Sequence, residues 1–365
     1  MRVTLCVDAL EPQLSGIGRY TWELCSRLPG RSELAVQFFG RNQVIKDPSS
    51  LVRGEHPARR RSITGRFRGL RERATLRSSV VHGPNYFLPA HTAAGVVTIH
   101  DLSVLHYPDY HPASRVAEFE KRLRTSIDRA DQLITDCETI RSEVIEFTGC
   151  KFDRVTSVPL GVSSNFSPID KEARAGVLSR LGLPETGYGL TISSLEPRKR
   201  IDRLLKAWRI LPRRTRDRFP LVIAGASGWN NSALHEEIER AAAEGWVLPL
   251  GFVSESDLPA IYAGATLFAY PSIYEGFGLP PLEAMACGVP VVVAAGSCLV
   301  EVTKGAAMVA EPDDVAGFAE NLLRSLEDNH WRTDAISAGI QVARGYTWDK
   351  CVDQTVAIYQ RVSLN

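Results

Sequence analysis

Short apolar runs rich in β-branched residues alternate along this chain with stretches whose apolar positions recur every three to four residues. In the first half, the runs 3–7, 80–82, 96–100, 132–135 and 155–158 predict strands. The stretches 18–28, 113–130 and 138–147 between them predict helices. The alternation restarts in the second half, with strands predicted at 189–193, 221–224, 247–250, 266–270 and 291–294 and helices at 201–211, 232–243, 255–263 and 279–287. Strand–helix alternation with unbroken apolar strands predicts parallel sheets covered by helices on both faces. Between the two alternations lies a seam from Gly161 to Thr186, holding Pro159, Gly161, Pro168, Pro184 and Gly187 about one short helical piece. The fold class expected is therefore α/β, two Rossmann-like doubly wound domains facing across a cleft, with residues 1–165 and 187–345 joined by a linker at 166–186. In such sheets ligands bind outside the carboxyl ends of the strands, so functional residues are sought just after strands.

Composition narrows the classes. A length of 365 residues suits two domains, and 44% hydrophobic with 23% charged residues is the profile of a globular protein. A net charge of +1 argues against a general nucleic-acid binder, which carries a basic excess. The seven cysteines are scattered with no CxxC pair, which reads as reduced thiols in a cytosolic protein. The apolar run after Met1 is too short for a signal peptide and reads as a first strand. No window approaches the ~20 apolar residues of a membrane span, so the expectation is a cytoplasmic protein, peripheral at most at the inner face of a membrane. One segment departs from this average. Nine arginines fall between Arg53 and Arg77, opposed only by Glu55 and Glu72. It reads either as a solvated loop or as a docking patch for anionic phospholipid or a lipid-diphosphate acceptor, with Arg59, Arg60, Arg61, Arg66 and Arg68 at its centre.

Four constellations carry candidate chemistry. Ser15-Gly16-Ile17-Gly18-Arg19-Tyr20 follows the first strand and opens a helix, where glycine lets backbone N–H groups approach a phosphate. Thr21 stands where a dinucleotide fingerprint needs its third glycine, and a plain tight turn is the alternative. Next, His100-Asp101 closes an apolar strand, so His100 could bond a sugar hydroxyl or steady a leaving-group oxygen, or be a satisfied structural histidine. After the strand 189–193, Ser194-Leu195-Glu196-Pro197-Arg198-Lys199-Arg200 places adjacent cations at a helix start. A nucleoside diphosphate leaves with roughly two to three negative charges, so cations there answer the main catalytic need; a solvated basic turn is the alternative. The fourth is the most specific. Tyr270-Pro-Ser-Ile-Tyr-Glu275-Gly276-Phe277-Gly278-Leu279-Pro-Pro-Leu-Glu283 follows a strand, with glycines that let the main chain close over a ligand and prolines that pre-set a helix start. Glu283 is placed in the first turn of that helix, accepting from two vicinal ribose hydroxyls, and Glu275, eight residues earlier, would grip another part of one extended ligand. No D-x-D occurs anywhere in the chain, so neutralising a diphosphate falls to Arg198, Lys199 and helix N-termini, with no metal or cofactor required.

Glu275-x7-Glu283, with Glu196-Pro-Arg198-Lys199 and His100-Asp101, resembles the retaining glycosyltransferases of family 4 and their two-domain GT-B architecture. The glycine opening and Thr98-Ile-His-Asp-Leu are most similar to bacterial mannosyltransferases of O-antigen and exopolysaccharide synthesis. The chain departs from that pattern at Ser193-Ser194, where relatives carry Gly-Arg or Gly-Thr, and at Val300, where proline is usual. The resemblance implies that Glu283 binds the ribose and Glu275 the donor sugar. The backbone of Gly276, Phe277, Gly278 and Leu279 would hold the phosphate, Arg198 and Lys199 the diphosphate, and Gly16 the distal phosphate. His100 would lie near the sugar's 6-hydroxyl, and a final helix, 346–365, would cross back to the N-terminal domain. It implies transfer of a hexose, mannose from GDP-mannose foremost, to a glycan or lipid-linked acceptor. UDP-glucose, UDP-GlcNAc or dTDP-rhamnose as donor, an epimerase of the same fold, and a non-catalytic partner subunit stay as alternatives.

Overall fold

Strands covered on both faces carry apolar residues at every position. Val80–Gly83, Leu221–Ala224, Leu267–Tyr270 and Val291–Ala294 are accordingly buried along their whole length. The computed structural model describes residues 1–55, 73–225 and 232–363. They fold as two units, Met1–Gly161 with Trp348–Asn365, and Val162–Thr347.

The first unit is built on a seven-stranded sheet of β1 (Arg2–Cys6), β2 (Ala35–Gly40), β3 (Gln43–Ile45), β4 (Val80–Gly83), β5 (Ala94–Ile99), β6 (Gln132–Thr135) and β7 (Val155–Ser157). Their order is β3-β2-β1-β4-β5-β6-β7, parallel throughout except for the β2–β3 hairpin. Ser15 starts the first helix, Gly16–Arg27, by accepting the Gly18 N–H at 3.2 Å. The final helix, Trp348–Ser363, belongs to this unit, and its inner face is buried at Trp348, Cys351, Val352, Thr355, Ile358 and Tyr359. Its Tyr359 hydroxyl lies 2.6 Å from Nδ1 of His82, whose Nε2 lies 2.7 Å from the Thr98 hydroxyl. Burial pushes the His82 imidazole down to about 3, so this ring is neutral. Arg27–Asp349 at 3.2 Å and Arg31–Asp353 at 2.6 Å tie the same helix down at its rim.

The second unit has a six-stranded parallel sheet of β8 (Gly189–Ile192), β9 (Leu221–Ala224), β10 (Val247–Gly251), β11 (Leu267–Tyr270), β12 (Val291–Ala294) and β13 (Ala307–Ala310). The order β10-β9-β8-β11-β12-β13 is that of a dinucleotide-binding fold, with its switch point between β8 and β11. On one face the helix Ile201–Ile210 buries Leu204, Leu205 and Trp208 with Phe318 and Leu322 of the helix Val315–Glu327.

Several expectations need correction. Residues 166–186 are not a free linker but part of the second unit. The helix Lys171–Arg180 there buries Leu178, Arg174 donates to the Ala263 carbonyl, and Arg180 pairs with Asp257 at 2.7 Å. The division itself falls after Gly161. Three strands escaped the pattern. β2, between β3 and β1, has its first residues only half-buried or exposed and Gln37 interrupting its run; β3 is a three-residue edge strand; and β13, at the margin of its sheet, is apolar throughout but has a single β-branched residue, Val309. Arg59, Arg60, Arg61, Arg66 and Arg68 lie outside the described residues. Among the described residues, no helix is long and apolar enough to cross a membrane.

Candidate active site

The cations and carboxylates of the second unit meet at its switch point. After β8, Pro197 begins a single 3-10 turn, Pro197–Lys199, and Arg200 in left-handed conformation (φ 54°) hands the chain to the helix Ile201–Ile210. After β11, the loop 271–278 runs to the helix Leu279–Ala286. The two loops are stitched through the main chain: the Ile273 N–H donates to the Arg198 carbonyl at 3.0 Å, and Arg198 Nη1 donates to the Tyr274 carbonyl at 2.9 Å.

That stitching brings Glu275 under both cations. Lys199 Nζ donates to Glu275 Oε1 at 2.5 Å, and Arg198 Nη1 lies 3.4 Å from Oε2. Lys199 also donates to the Tyr270 hydroxyl at 3.1 Å. Arg198 Nε bonds Glu196 Oε2 at 3.1 Å, and the Ser194 hydroxyl donates to the other Glu196 oxygen at 2.7 Å. Lys199 and Glu275 are each only 7% exposed, so this is a desolvated charge cluster and not a surface ion pair. Burial alone would raise the Glu275 carboxyl, but Lys199 and Arg198 outweigh it and hold the group at about 2. Burial acts the other way on Lys199, taking its ammonium below the ordinary lysine value, with Glu275 partly opposing.

The glycines of this loop have distinct tasks. Gly278 has φ of 103° and forms the N-cap of the following helix; a Cβ there would stand 2.6 Å from Leu299. Below the loop, the buried Cys298 thiol lies 3.0 Å from the Glu275 carbonyl and 3.2 Å from that of Phe277. Because Gly278 is the cap, Glu283 is the fifth residue of its helix and not in the first turn as expected. The favourable helix-end field therefore acts less on it. Its carboxylate is fixed instead by the buried Tyr262 hydroxyl, which donates to Oε2 at 2.9 Å. Nothing in the sequence singled out Tyr262, which reads as a core aromatic.

In the first unit, the glycine pair divides. Gly16 is exposed at the start of its helix, and a Cβ there would meet no atom within 4 Å; at Gly18 it would come within 3.1 Å of the Ala9 carbonyl. Gly18 thus serves packing, and only Gly16 keeps its backbone open to a ligand. His100 is buried with both ring nitrogens engaged, Nδ1 with Asp136 Oδ2 at 2.7 Å and Nε2 with the Pro84 carbonyl at 2.8 Å. Burial works against charge on this ring, but Asp136 outweighs it and holds the imidazole above its ordinary value. The expected bond from His100 to a sugar hydroxyl therefore has no free ring nitrogen in this arrangement. Asp101 is also committed: its Oδ1 accepts from the Ser103 N–H and hydroxyl and from Tyr86. Asp136 went unnoticed in the sequence, although it ends β6 as His100 ends β5, a polar residue closing an apolar run.

Two family models cover most of the chain: "Glycosyltransferase Family 4" matches residues 14–166 and "Glycosyl transferases group 1" residues 183–342. An O-antigen chain mannosyltransferase B of Escherichia coli is 36% identical over 99% of this chain and 100% of its own length. Among solved structures, a sucrose-phosphate synthase from Thermosynechococcus elongatus superposes with a TM-score of 0.76 at 19% identity, covering 100% of this chain and 99% of the other. WaaG, a glycosyltransferase involved in lipopolysaccharide biosynthesis, gives 0.75 at 18% identity, covering 98% and 99%. At such identities these two structures speak for the fold alone.

Proposed function

The chain belongs to the family 4 glycosyltransferases, and on that premise we propose that it moves mannose from GDP-mannose, with retention and without a metal, onto a growing surface polysaccharide. The mannosyl part of this reading is supported by the full-length similarity to an O-antigen mannosyltransferase. The observation that carries the chemistry is the convergence of Lys199 and Arg198 on a single carboxylate at the switch point, a ready-made cradle for anionic oxygens. In the reaction, the bond from sugar C1 to the phosphate oxygen breaks and its electron pair departs on the diphosphate. The two cations stabilise the charge that develops there. The acceptor hydroxyl forms the new bond to C1 from the same face and gives its proton to the departing phosphate. Glu275, tied to both cations, is badly placed to act as a nucleophile, which favours this front-face route. Glu283, steadied by Tyr262, takes the ribose hydroxyls. His100 acts as a buried strut of the first unit, both ring nitrogens engaged, and not as a hydrogen-bond donor to the sugar. The metal-free reading rests on the cations supplying the neutralisation and on the missing D-x-D. Acceptors held on a lipid would be met at the inner face of a membrane, with the protein peripheral to it.

The test supplies GDP-mannose, UDP-glucose, UDP-GlcNAc and dTDP-rhamnose separately, with a mannose-terminated lipid-linked acceptor, in EDTA and with added Mg²⁺. The expected result is an α-mannoside from GDP-mannose alone, at equal rates in both conditions. Transfer only from another donor overturns the donor assignment, a β-product overturns retention, and loss of rate in EDTA overturns the metal-free reading.

A further inference from the structure

At the switch point Lys199 and Arg198 share one carboxylate, Glu275, and Arg198 is also paired with Glu196. Glu275 offers one carboxylate oxygen to Lys199 and the other to Arg198. Two oxygens on one centre, each on a different cation, is also what a phosphate presents. The Glu275 backbone is held by bonds beyond those of its carboxylate, although Arg198 Nη1 serves both. The Cys298 thiol contacts its carbonyl and that of Phe277, and the Ile273 and Tyr274 main-chain bonds anchor the loop to Arg198. Departure of the carboxylate from the cations then asks for a side-chain rotation that also gives up its bonds with the Ser272 and Tyr270 hydroxyls.

We propose that Glu275 is a built-in stand-in for the donor's diphosphate, which neutralises Lys199 and Arg198 in the empty enzyme and returns to them to expel the nucleotide product. The inference rests on the proposed function, which places the diphosphate on these two residues. A buried ammonium stripped of its partner is costly, so Lys199, only 7% exposed, needs a counter-charge at all times, whereas Arg198 also keeps Glu196. When the donor arrives, its phosphate oxygens take over both cations and the carboxylate turns to the hydroxyls of the transferred sugar, which are hydrogen-bond donors. Once the sugar has gone to the acceptor, those hydroxyls are gone as well. The displaced carboxylate then faces the product's phosphates without the sugar's donors, and competition for Lys199 and Arg198 favours release. Glu275 thus makes the enzyme distinguish a nucleotide with its sugar from the same nucleotide without it.

The experiment measures calorimetric binding of GDP and of GDP-mannose to wild type, Glu275→Gln, Glu275→Asp and Lys199→Ala, with thermal melts establishing that each is folded. Removing one competing buried charge is worth at least a decade, so GDP should bind about tenfold or more tightly to Glu275→Gln. GDP-mannose should gain less or lose affinity, and GDP should dissociate more slowly. Glu275→Asp, too short to reach both cations, should tighten GDP to an intermediate degree and supports the proposal even if the glutamine variant does not fold. Unchanged or weaker GDP binding in a folded Glu275 variant, while Lys199→Ala still loses GDP, overturns the stand-in role and leaves the donor site intact. If Lys199→Ala binds GDP as wild type does, the diphosphate lies elsewhere and the underlying reading fails instead.

Discussion

Lys199→Ala removes the cation that lies deepest in the site. Its ammonium contacts the Glu275 carboxylate at 2.5 Å and the Tyr270 hydroxyl at 3.1 Å, in surroundings that exclude most water. As the glycosidic bond to phosphate breaks, the leaving diphosphate gains on the order of one unit of charge. Loss of one preorganised donor facing such charge costs about 3–4 kcal/mol, or roughly 10²–10³ in kcat. Coulomb's law sets a similar scale, about 4 kcal/mol for unit charges at 4 Å and an effective dielectric constant near 20. Arg198 remains, but it stands 3.4 Å from the same carboxylate and is also engaged with Glu196, so it replaces Lys199 only in part. The variant should therefore fall by two to three decades in kcat at saturating donor, and more in kcat/KM, because Glu275 then opposes the phosphates without its nearer partner. The assay is the initial rate of GDP release with acceptor present, beside a thermal melt. A folded Lys199→Ala enzyme whose kcat lies within about threefold of wild type would falsify the leaving-group role.

Tyr262→Phe deletes the hydroxyl that fixes Glu283 and should raise the KM for donor about three- to tenfold with little change in kcat, the size of one lost hydrogen bond; a change in kcat alone, in steady-state kinetics, contradicts a ground-state ribose contact. The His100–Asp136 pair makes stability depend on pH in a definite direction. The folded imidazole titrates above its ordinary 6.5, so its contribution is fully present below that pH and is lost as pH rises through the folded value. Denaturant melts of wild type and Asp136→Asn should accordingly differ most near pH 6 and converge toward alkaline pH; a difference that grows with pH contradicts the assignment.

The parts of this molecule that can be read along the chain are those whose cause is local. Unbroken β-branched runs disclose the central strands because both faces of each are covered, and a polar residue at the end of such a run marks the carboxyl edge. That is how His100, Arg198, Lys199 and Glu275 stood out. What the pattern does not carry is partnership. Glu275 and Lys199 are 76 residues apart, and their contact exists only because β11 lies next to β8 in the sheet. The sequence therefore placed Lys199 on phosphate and Glu275 on sugar without showing that, with the site empty, they bind each other. His100 is the same lesson in reverse: its partner Asp136 comes from the neighbouring β6, and that contact turns an apparent sugar ligand into an internally satisfied ion pair. β2 was missed because Gln37 interrupts its run, β3 because it is three residues long, and β13 because Val309 is the one β-branched residue in its apolar run.

The strand order explains why the charge cluster forms in this place. In the order β10-β9-β8-β11-β12-β13 the connections after β8 and β11 depart to different sides of the sheet. The helix after β8 joins the helix Val315–Glu327, whereas the helix after β11 joins the helix Asn329–Arg344. The loops at the two adjacent strand ends therefore diverge just above the sheet, and backbone crowding there is relieved. Polar side chains can fill that gap, and each loop must be held to the other by specific bonds, here Ile273 to the Arg198 carbonyl and Arg198 to the Tyr274 carbonyl. Those bonds make Arg198 a structural clip, through its carbonyl and its guanidinium, beside the phosphate contact proposed for it. Lys199 takes no part in the stitching, and its ammonium bonds Glu275 and Tyr270. The bonding thus fits unequal roles for the proposed pair, Arg198 fixing the geometry of the cradle and Lys199 left to answer the charge expected to develop within it.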